Sequence, residues 1–512
     1  MTTTPQLPET SGVSRRRFLE RGAVGGLGIA LVGSVDTLFG AGTAAADGGG
    51  PGNGRGGGDG QLGYGPLVPD PAGILALPAG FSYTIIAETG VTIMEDGSPT
   101  PADPDGSASF PLRRGGAVLV TNHEVGSDEE NPVPLIDGLV YDKGAGGGTT
   151  NVVVDRDGNR VTEYVSLAGT VNNCAGGATP WDTWLTCEET EDRAGDEGTY
   201  GALTLDHGYV FEVDPYDKDL NRDPKPIKAL GRYPHEAVVV DPRRGHFYLT
   251  EDASDPYGLL YRWTPPKDFR PGKDRLRDLA DDAGTLEAMK AFDRGRYVPD
   301  LSVAEEIGTT YAVEWVEVPD RDARETSTRA QFGEGQVTRS QKLEGMWWAD
   351  GGAYFTASFA RTAADDADEE SAVAHDGQVW FLDAKRMTIE LTLRFAYTRD
   401  DQDSDPDGPD NITVSPFGGV MIAEDGEGAQ HLVGATDRGE AFFFARNETA
   451  AQSEFTGPNF SPDRRILFAN IQGDGSNPSA SEGEGSAGPD EGADPATPGY
   501  VFAITGPFKH HR

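Results

Sequence analysis

Glu236 to Ala253, "EAVVVDPRRGHFYLTEDA", is the clearest copy of a unit that recurs along the chain. An apolar run, a turn built on Asp-Pro and Gly, and a second apolar run ending in acids read as a β-hairpin with buried strands. A third strand follows as "GLLYRW", Gly258 to Trp263. The same grammar returns in "EGMWWADGGAYFTASF" with "GQVWFLD", in "DNITVSPFGGVMIAEDG" with "GEAFFFARN", and more weakly in "FSPDRRILFANIQ" with "GYVFAI". Upstream, "FPLRRGGAVLVTNHE" leads to "TNVVVD", and the segment ending in "WLTCEE" leads to "GYVFEVD", which makes six units. One such unit cannot bury both of its faces, whereas six small antiparallel sheets arranged radially share a core. The expectation is an all-β chain, a six-bladed β-propeller with inserted loops, over residues 67–512.

Two segments break the repeat. Residues Lys267 to Asp300, with "DRLRDLADDAGTLEAMKAF", read as a short helical insertion within a longer one over about 267–340. Residues 473–499 form a low-complexity loop.

Equivalent positions in a radial array point to the same place, so the strand ends can be set side by side. The second strands end in "LVTNHE", "WLTCEE", "YLTEDA", "YFTASF", "MIAEDG" and "LFANIQ". Aligned on the preceding Thr or Ala, they put Asn122, Cys187, Glu251, Ala357, Glu424 and Asn470 at one position. His123, Glu188, Asp252, Ser358, Asp425 and Ile471 come next, with Glu124 and Glu189 directly after the first two pairs. The starts of the first strands lie beside these ends. They carry Asn173 with Cys174, His235 with Glu236, then Glu344, and Asp410 with Asn411. One mouth of the array therefore gathers acids, amides, thiols and a histidine.

The composition fits a cation-binding mouth. With 84 Asp and Glu among 512 residues and a net charge of -41, the chain repels nucleic acid and anionic membranes. Such a surface is that of a protein from a high-salt habitat, where self-repulsion is screened. We expect a monomer. At the N-terminus, "SRRRFLE" at 14–20, an apolar run over 23–35 and small residues up to Ala46 read as a twin-arginine export signal over 1–46, recognised by the twin-arginine translocase. A Gly-rich linker follows over 47–66.

Carboxylate and amide oxygens suit calcium, whereas a thiolate among them suits a transition metal. The eight histidines are scattered, which disfavours zinc. A disulfide between Cys174 and Cys187 is the alternative use of the two cysteines.

At this point the chain resembles the PhoX-type alkaline phosphatase family of exported phosphatases. The resemblance is carried by "LVTNHE", "NNCAGGATPWDTWLTCEET", "GRYPHEAVVVDPRRGHFYLTED", "LEGMWW" and "DNITVSPFGGVMIAED". It implies a β-propeller whose mouth holds iron and calcium and hydrolyses small phosphomonoesters. By the resemblance, Cys187 is the iron thiolate, with Glu188, Glu236, Glu251 and Glu344 as carboxylate ligands, and Asp410, Asn411 and Glu424 match the later motif. Glu124, Glu189, Asp252 and Asp425 complete the expected metal set, and Lys342 and Glu344 are expected to act on substrate. One departure stands out: family phosphatases carry Arg-Pro-Glu-Gly where this chain reads "KLEG", Lys342 to Gly345. An arginine grips phosphate through two parallel hydrogen bonds, and a lysine offers only a point charge. Two other readings follow from the same residues: a calcium-dependent hydrolase of lactonase type using Asn173 and Asn411, and a non-catalytic metal-binding surface propeller.

Overall fold

Strands such as Phe247–Glu251 and Ile466–Ile471 are buried along their whole length, so other sheets must cover both of their faces. The computed structural model provides this with five sheets and, among the described residues, no helical element beyond short 3-10 turns. It describes residues 62–510 except 128, 359–374, 397–404, 427, 451 and 474–496. The export signal over 1–46, the linker up to residue 61 and most of the low-complexity loop lie outside the described residues.

The arrangement is propeller-like. Six inner strands, each the first of an antiparallel meander, lie side by side: β1 (Pro104–Pro111), β2 (Asn173–Ala178), β3 (His235–Val240), β4 (Leu343–Ala349), β5 (Pro409–Val414) and β6 (Phe455–Phe460). Each packs on the next, and β6 returns to β1, which closes the ring. Behind β1 and β2 stand sheets of four and three strands. The meanders of β3 and β4 are joined at their outer edges by Thr310–Glu317, which pairs with both, into one ten-stranded sheet. Segments from the start of the described residues complete the last two sheets. Ser82–Glu88 is the outer strand behind β6, and Leu75–Pro78 extends the sheet of β5.

Each pair of neighbouring meanders encloses its own apolar cluster. Phe110, Val120 and Leu167 meet Trp184 and Phe211 between the first two, and Tyr248 meets Phe355 and Trp380 between the β3 and β4 meanders. Leu119 and Val152 meet Phe468 and Val501 where the last meander closes on the first. Fully burying one such side chain contributes about 1.5–3 kcal/mol, so the closure is held mainly by these seams.

The helical expectation over Lys267 to Asp300 is not met. Leu276–Asp278 is a single 3-10 turn, and "TLEAMKAFD", Thr285–Asp293, is a strand. Its Ala, Met and Lys favour helix by only a few tenths of a kcal/mol each. Pairing on one side with Leu260–Thr264 and on the other with Thr310–Glu317 outweighs that, with Leu286, Ala288, Met289 and Ala291 buried.

One local device recurs on every inner strand. The ladder to the second strand advances three residues on the inner strand for two on its partner, as in Pro104↔His123 to Ser107↔Thr121 and His235↔Glu251 to Val238↔Leu249. Equivalent shifts occur in the other four. Each is a β-bulge, in which two residues oppose one and the extra side chain is re-aimed. The first bulge residues are Asp105, Cys174, Glu236, Glu344, Asp410 and Gly457. The second are Gly106, Ala175, Ala237, Gly345, Asn411 and Pro458, mostly small. A Cβ on Gly106 would lie 2.5 Å from Ala175 Cα, and one on Gly345 2.7 Å from Asn411 Cα, so the neighbouring inner strand leaves no room there.

The bulges are tied from unit to unit. Asn470 Nδ2 donates to Asp105 O (2.6 Å), Asn122 Nδ2 to Cys174 O (2.9 Å) and Cys174 Sγ to His235 O (3.2 Å). Thr250 Oγ1 donates to Glu344 O (2.7 Å), Thr356 Oγ1 to Asp410 O (2.6 Å), and Gly457 N to Asn411 Oδ1 (2.7 Å). Bulge carbonyls have lost their ladder partners, and a buried carbonyl left alone is costly. Thr356→Val keeps the shape and removes the donor, so a loss of about 1–3 kcal/mol in urea unfolding is expected; no loss would deny the tie a role.

Three buried histidines, His123, His235 and His375, add a pH dependence, and burial pushes His235 down to about 3. Burial pushes His123 down to about 4 and His375 down to about 3, from an ordinary 6.5. Below about pH 6.5 the unfolded chain binds more protons than the folded one. Their contribution is therefore full above that pH and falls as pH drops, by up to about 1.4 kcal/mol per unit for each. The urea midpoint is expected to be lower at about pH 5 than at about pH 7.5, and the difference to shrink in a His123→Gln, His375→Gln double variant.

Candidate metal centre

The bulges aim their first residues at the mouth of the ring. There, three sets of side chains have ligand atoms within 4.8 Å of one another: Cys174, Glu189 and Glu236; Glu236, Glu344 and Asp410; Asp410, Asp425 and Glu454. Glu236 and Asp410 each belong to two sets, so the seven side chains form one continuous run. Four of them, Cys174, Glu236, Glu344 and Asp410, are first bulge residues. Glu189 and Asp425 follow the ends of second strands, and Glu454 directly precedes β6. Glu236, Glu344, Asp410 and Cys174 are buried at 1% exposure or less.

The expected residues divide accordingly. Glu189, Glu236, Glu344, Asp410 and Asp425 are brought together. Cys187 belongs to none of the three sets: it stands opposite the Cys174–Ala175 bulge, in an apolar cluster with Leu185, Val210 and Val238 that also takes in Cys174. Both cysteines are free thiols. Burial, reinforced by the Glu236 carboxylate, pushes both well above the ordinary thiol range.

Glu188, Glu251 and Glu424 occupy one equivalent position, the last ladder pair before the bulge, opposite Asn173, His235 and Pro409. All three turn into the protein and find partners there. Glu188 accepts from Val171 N, Gly208 N and Tyr209 N, and its Oε1 lies 2.6 Å from His207 Nδ1. Burial alone would lower His207, but the Glu188 and Asp142 carboxylates outweigh it and raise it. Glu251 accepts from Tyr261 (2.7 Å) and Arg329 (3.1 Å), and burial pushes it up to about 7 against the pull of that guanidinium. Glu424 lies 2.9 Å from His431 Nδ1 and is raised by burial. These are internal anchors, and the next residue in each strand faces the mouth.

Asp252 accepts from Lys342 Nζ (2.8 Å), which also lies 3.2 Å from Glu344 Oε1. Glu124 is held with Asp105 by Gln472, at 2.6 and 3.2 Å. Asn411 spans from Asp410 Oδ1 (3.0 Å) to Gly457 N, and Asn173 is bound to Thr170 and Thr186. Sequence reading missed Glu454, and it placed Cys174 at the mouth without choosing it. The strand starts compared in the sequence include Cys174 but not the start of β6, where Glu454 stands.

The family model for the alkaline phosphatase PhoX matches residues 62–165 and 158–475, most of the chain, and places the protein among the phosphoric monoester hydrolases. The chain belongs to the PhoX alkaline phosphatase family. Among solved structures, PhoX of Pseudomonas fluorescens in complex with vanadate, a transition-state analogue, is similar with a TM-score of 0.56 at 17% identity, covering 85% of this chain and 96% of that one. A gluconolactonase from Xanthomonas campestris reaches a TM-score of only 0.38 at 11% identity, over 87% of this chain and 99% of that one. No curated protein matches the sequence.

Anchoring and mouth-facing carboxylates should respond oppositely to neutralisation. Glu188→Gln weakens the acceptor that holds His207 Nδ1 and the amides of Val171, Gly208 and Tyr209, and is expected to lower stability by about 1–3 kcal/mol. Glu236→Gln removes one of several crowded like charges, so chelated protein should melt higher than wild type. Calorimetry in excess chelator checks both signs.

Proposed function

We propose that the chain hydrolyses small phosphomonoesters at an iron and calcium centre built on the bulge ring. The ring is that of a six-bladed propeller in which the ten-stranded sheet counts as two blades joined by Thr310–Glu317. The observation that carries this reading is the continuous run of one thiol and six carboxylates through three overlapping sets. In a chain of net charge -41, such a run is held together by cations or it repels itself and its substrate.

The donor chemistry fits the two metals. Cys174, Glu189 and Glu236 make a mixed sulfur and oxygen corner, which suits iron. Glu344, Asp410, Asp425 and Glu454 offer oxygens alone, which suits calcium. When bound, the metals supply the positive charge that neutralises the phosphoryl oxygens. The chain's own part is to fix the ligands: the bulges set their direction, while His207, Arg329 and His431 hold the anchors beside them. Lys342 is already shared by two carboxylates, so we assign it no grip on phosphate comparable to that of an arginine. The vanadate bound by the Pseudomonas relative, a transition-state analogue, supports a phosphoryl group as the substrate's reacting part. A lactonase-type site using Asn173 and Asn411 is disfavoured by the hydrogen bonds that occupy both amides.

Arg15 and Arg16 support export by the twin-arginine route, which carries folded, metal-loaded proteins. Among the described residues no helix is long and apolar enough to cross a membrane.

The test is metal analysis of the exported protein together with release of phosphate from p-nitrophenyl phosphate. Iron and calcium are expected, and chelation should abolish turnover. Cys174→Ser should lose iron and more than the roughly 10–100-fold in activity that loss of a ligand's supporting partner costs. Cys187→Ser should keep its iron. Calcium without iron, and no phosphate release, would overturn the proposal.

A further inference from the structure

Lys342 belongs to none of the three ligand sets, yet its ammonium sits against them. Nζ lies 2.8 Å from Asp252 Oδ2 and 3.2 Å from Glu344 Oε1, with only 13% of the side chain exposed. Its backbone is held in the left-handed region at φ 44, a conformation unfavourable to any residue with a Cβ. Two hydrogen bonds keep it there: Ser358 N donates to Lys342 O (3.0 Å), and Lys342 N donates to Ala253 O (3.4 Å). A lysine that met a carboxylate by chance on the surface would need no such backbone.

The corner it fills resembles a cation site. Asp252 and Glu344 supply carboxylate oxygens, and Ser358 Oγ, 3.0 Å from the same Glu344 Oε1, supplies a hydroxyl. Calcium takes oxygens of these kinds, six to eight at a time, from side chains, backbone and water. Glu344 also shares its set with Glu236 and Asp410, so a charge placed here acts on the whole run.

We propose that Lys342 is a resident counter-cation, an ammonium that occupies the Asp252–Glu344 corner in place of a divalent ion and so sets how many metals the chain binds. The inference rests on reading the acidic run as a metal centre. An ammonium supplied by the chain needs no ion from solution, so this corner keeps its charge balance when calcium is scarce. It also excludes calcium, because both carboxylates already turn an oxygen to Nζ within ion-pair reach. Lys342 is in this sense a specificity-determining residue for metal content.

The experiment is equilibrium dialysis of the whole chain against calcium, for wild type, Lys342→Met, Lys342→Arg and a Lys342→Met, Asp252→Asn double variant. Lys342→Met is expected to bind one further calcium per chain. Lys342→Arg should bind as wild type does, and the double variant should lose the extra ion. Equal calcium in Lys342→Met and wild type would overturn the inference. Should Lys342→Met unfold in chelator, the dependence of its melting temperature on calcium decides the matter instead: steeper than wild type supports the inference, and parallel overturns it. A wild type without metal would contradict the proposed function, whereas this inference is judged on the difference between the variants.

Discussion

Two residues oppose one at the same place on each inner strand, and the site follows from that mismatch. A regular strand would alternate its side chains between the faces toward the neighbouring sheets, and both faces here are apolar seams. The bulge adds one residue whose side chain leaves that alternation and turns to the mouth. Cys174, Glu236, Glu344 and Asp410 reach a common centre because each is the first residue of such a bulge. Gly457 stands at the same point in the last meander and has no side chain to offer, and there Glu454, just before that strand, joins the acidic run.

The same device dictates much of the surrounding sequence. Inner strands that approach closely at the bulge need small residues there, hence Gly106, Ala175, Ala237 and Gly345. Carbonyls released from the ladder need donors, and the residue opposite the bulge provides them across the seam. Asn122, Thr250 and Thr356 all sit at that position and all donate to the next unit. Cys187 sits at that position too, which explains its burial in an apolar cluster. The acids of the second strand then split by alternation. Glu188, Glu251 and Glu424 turn inward to His207, Arg329 and His431, while Glu189, Asp252 and Asp425 turn outward. One set steadies the frame and the other lines the mouth.

The repeat, the strands and the acidic mouth were legible in the sequence because each hairpin repeats the same burial pattern and turn chemistry. The register was not. Aligning "WLTCEE" with "YLTEDA" on their threonines sets Cys187 beside Glu251, but the ladders make Thr186 equivalent to Leu249 and Cys187 equivalent to Thr250. A one-residue slip along a strand moves a side chain to the other face, and in the ladder register it is Cys174, not Cys187, that lies beside Glu189 and Glu236. Bulges leave little trace in composition, and only pairing with a second strand reveals them. The strand at Thr285–Asp293 was missed for a related reason: its residues favour helix locally, and the partners that override them lie in other parts of the chain.

If bulge geometry, and not the cysteine beside the glutamate pair, builds the site, then iron belongs at Cys174. An anomalous difference map from a crystal of the exported protein, collected at the iron edge, locates the metal without reference to activity. The expected peak lies within bonding distance of Cys174 Sγ, between Glu189 and Glu236. A peak bonded to Cys187 Sγ, with Cys174 away from any metal, would show that the bulges do not select the ligands.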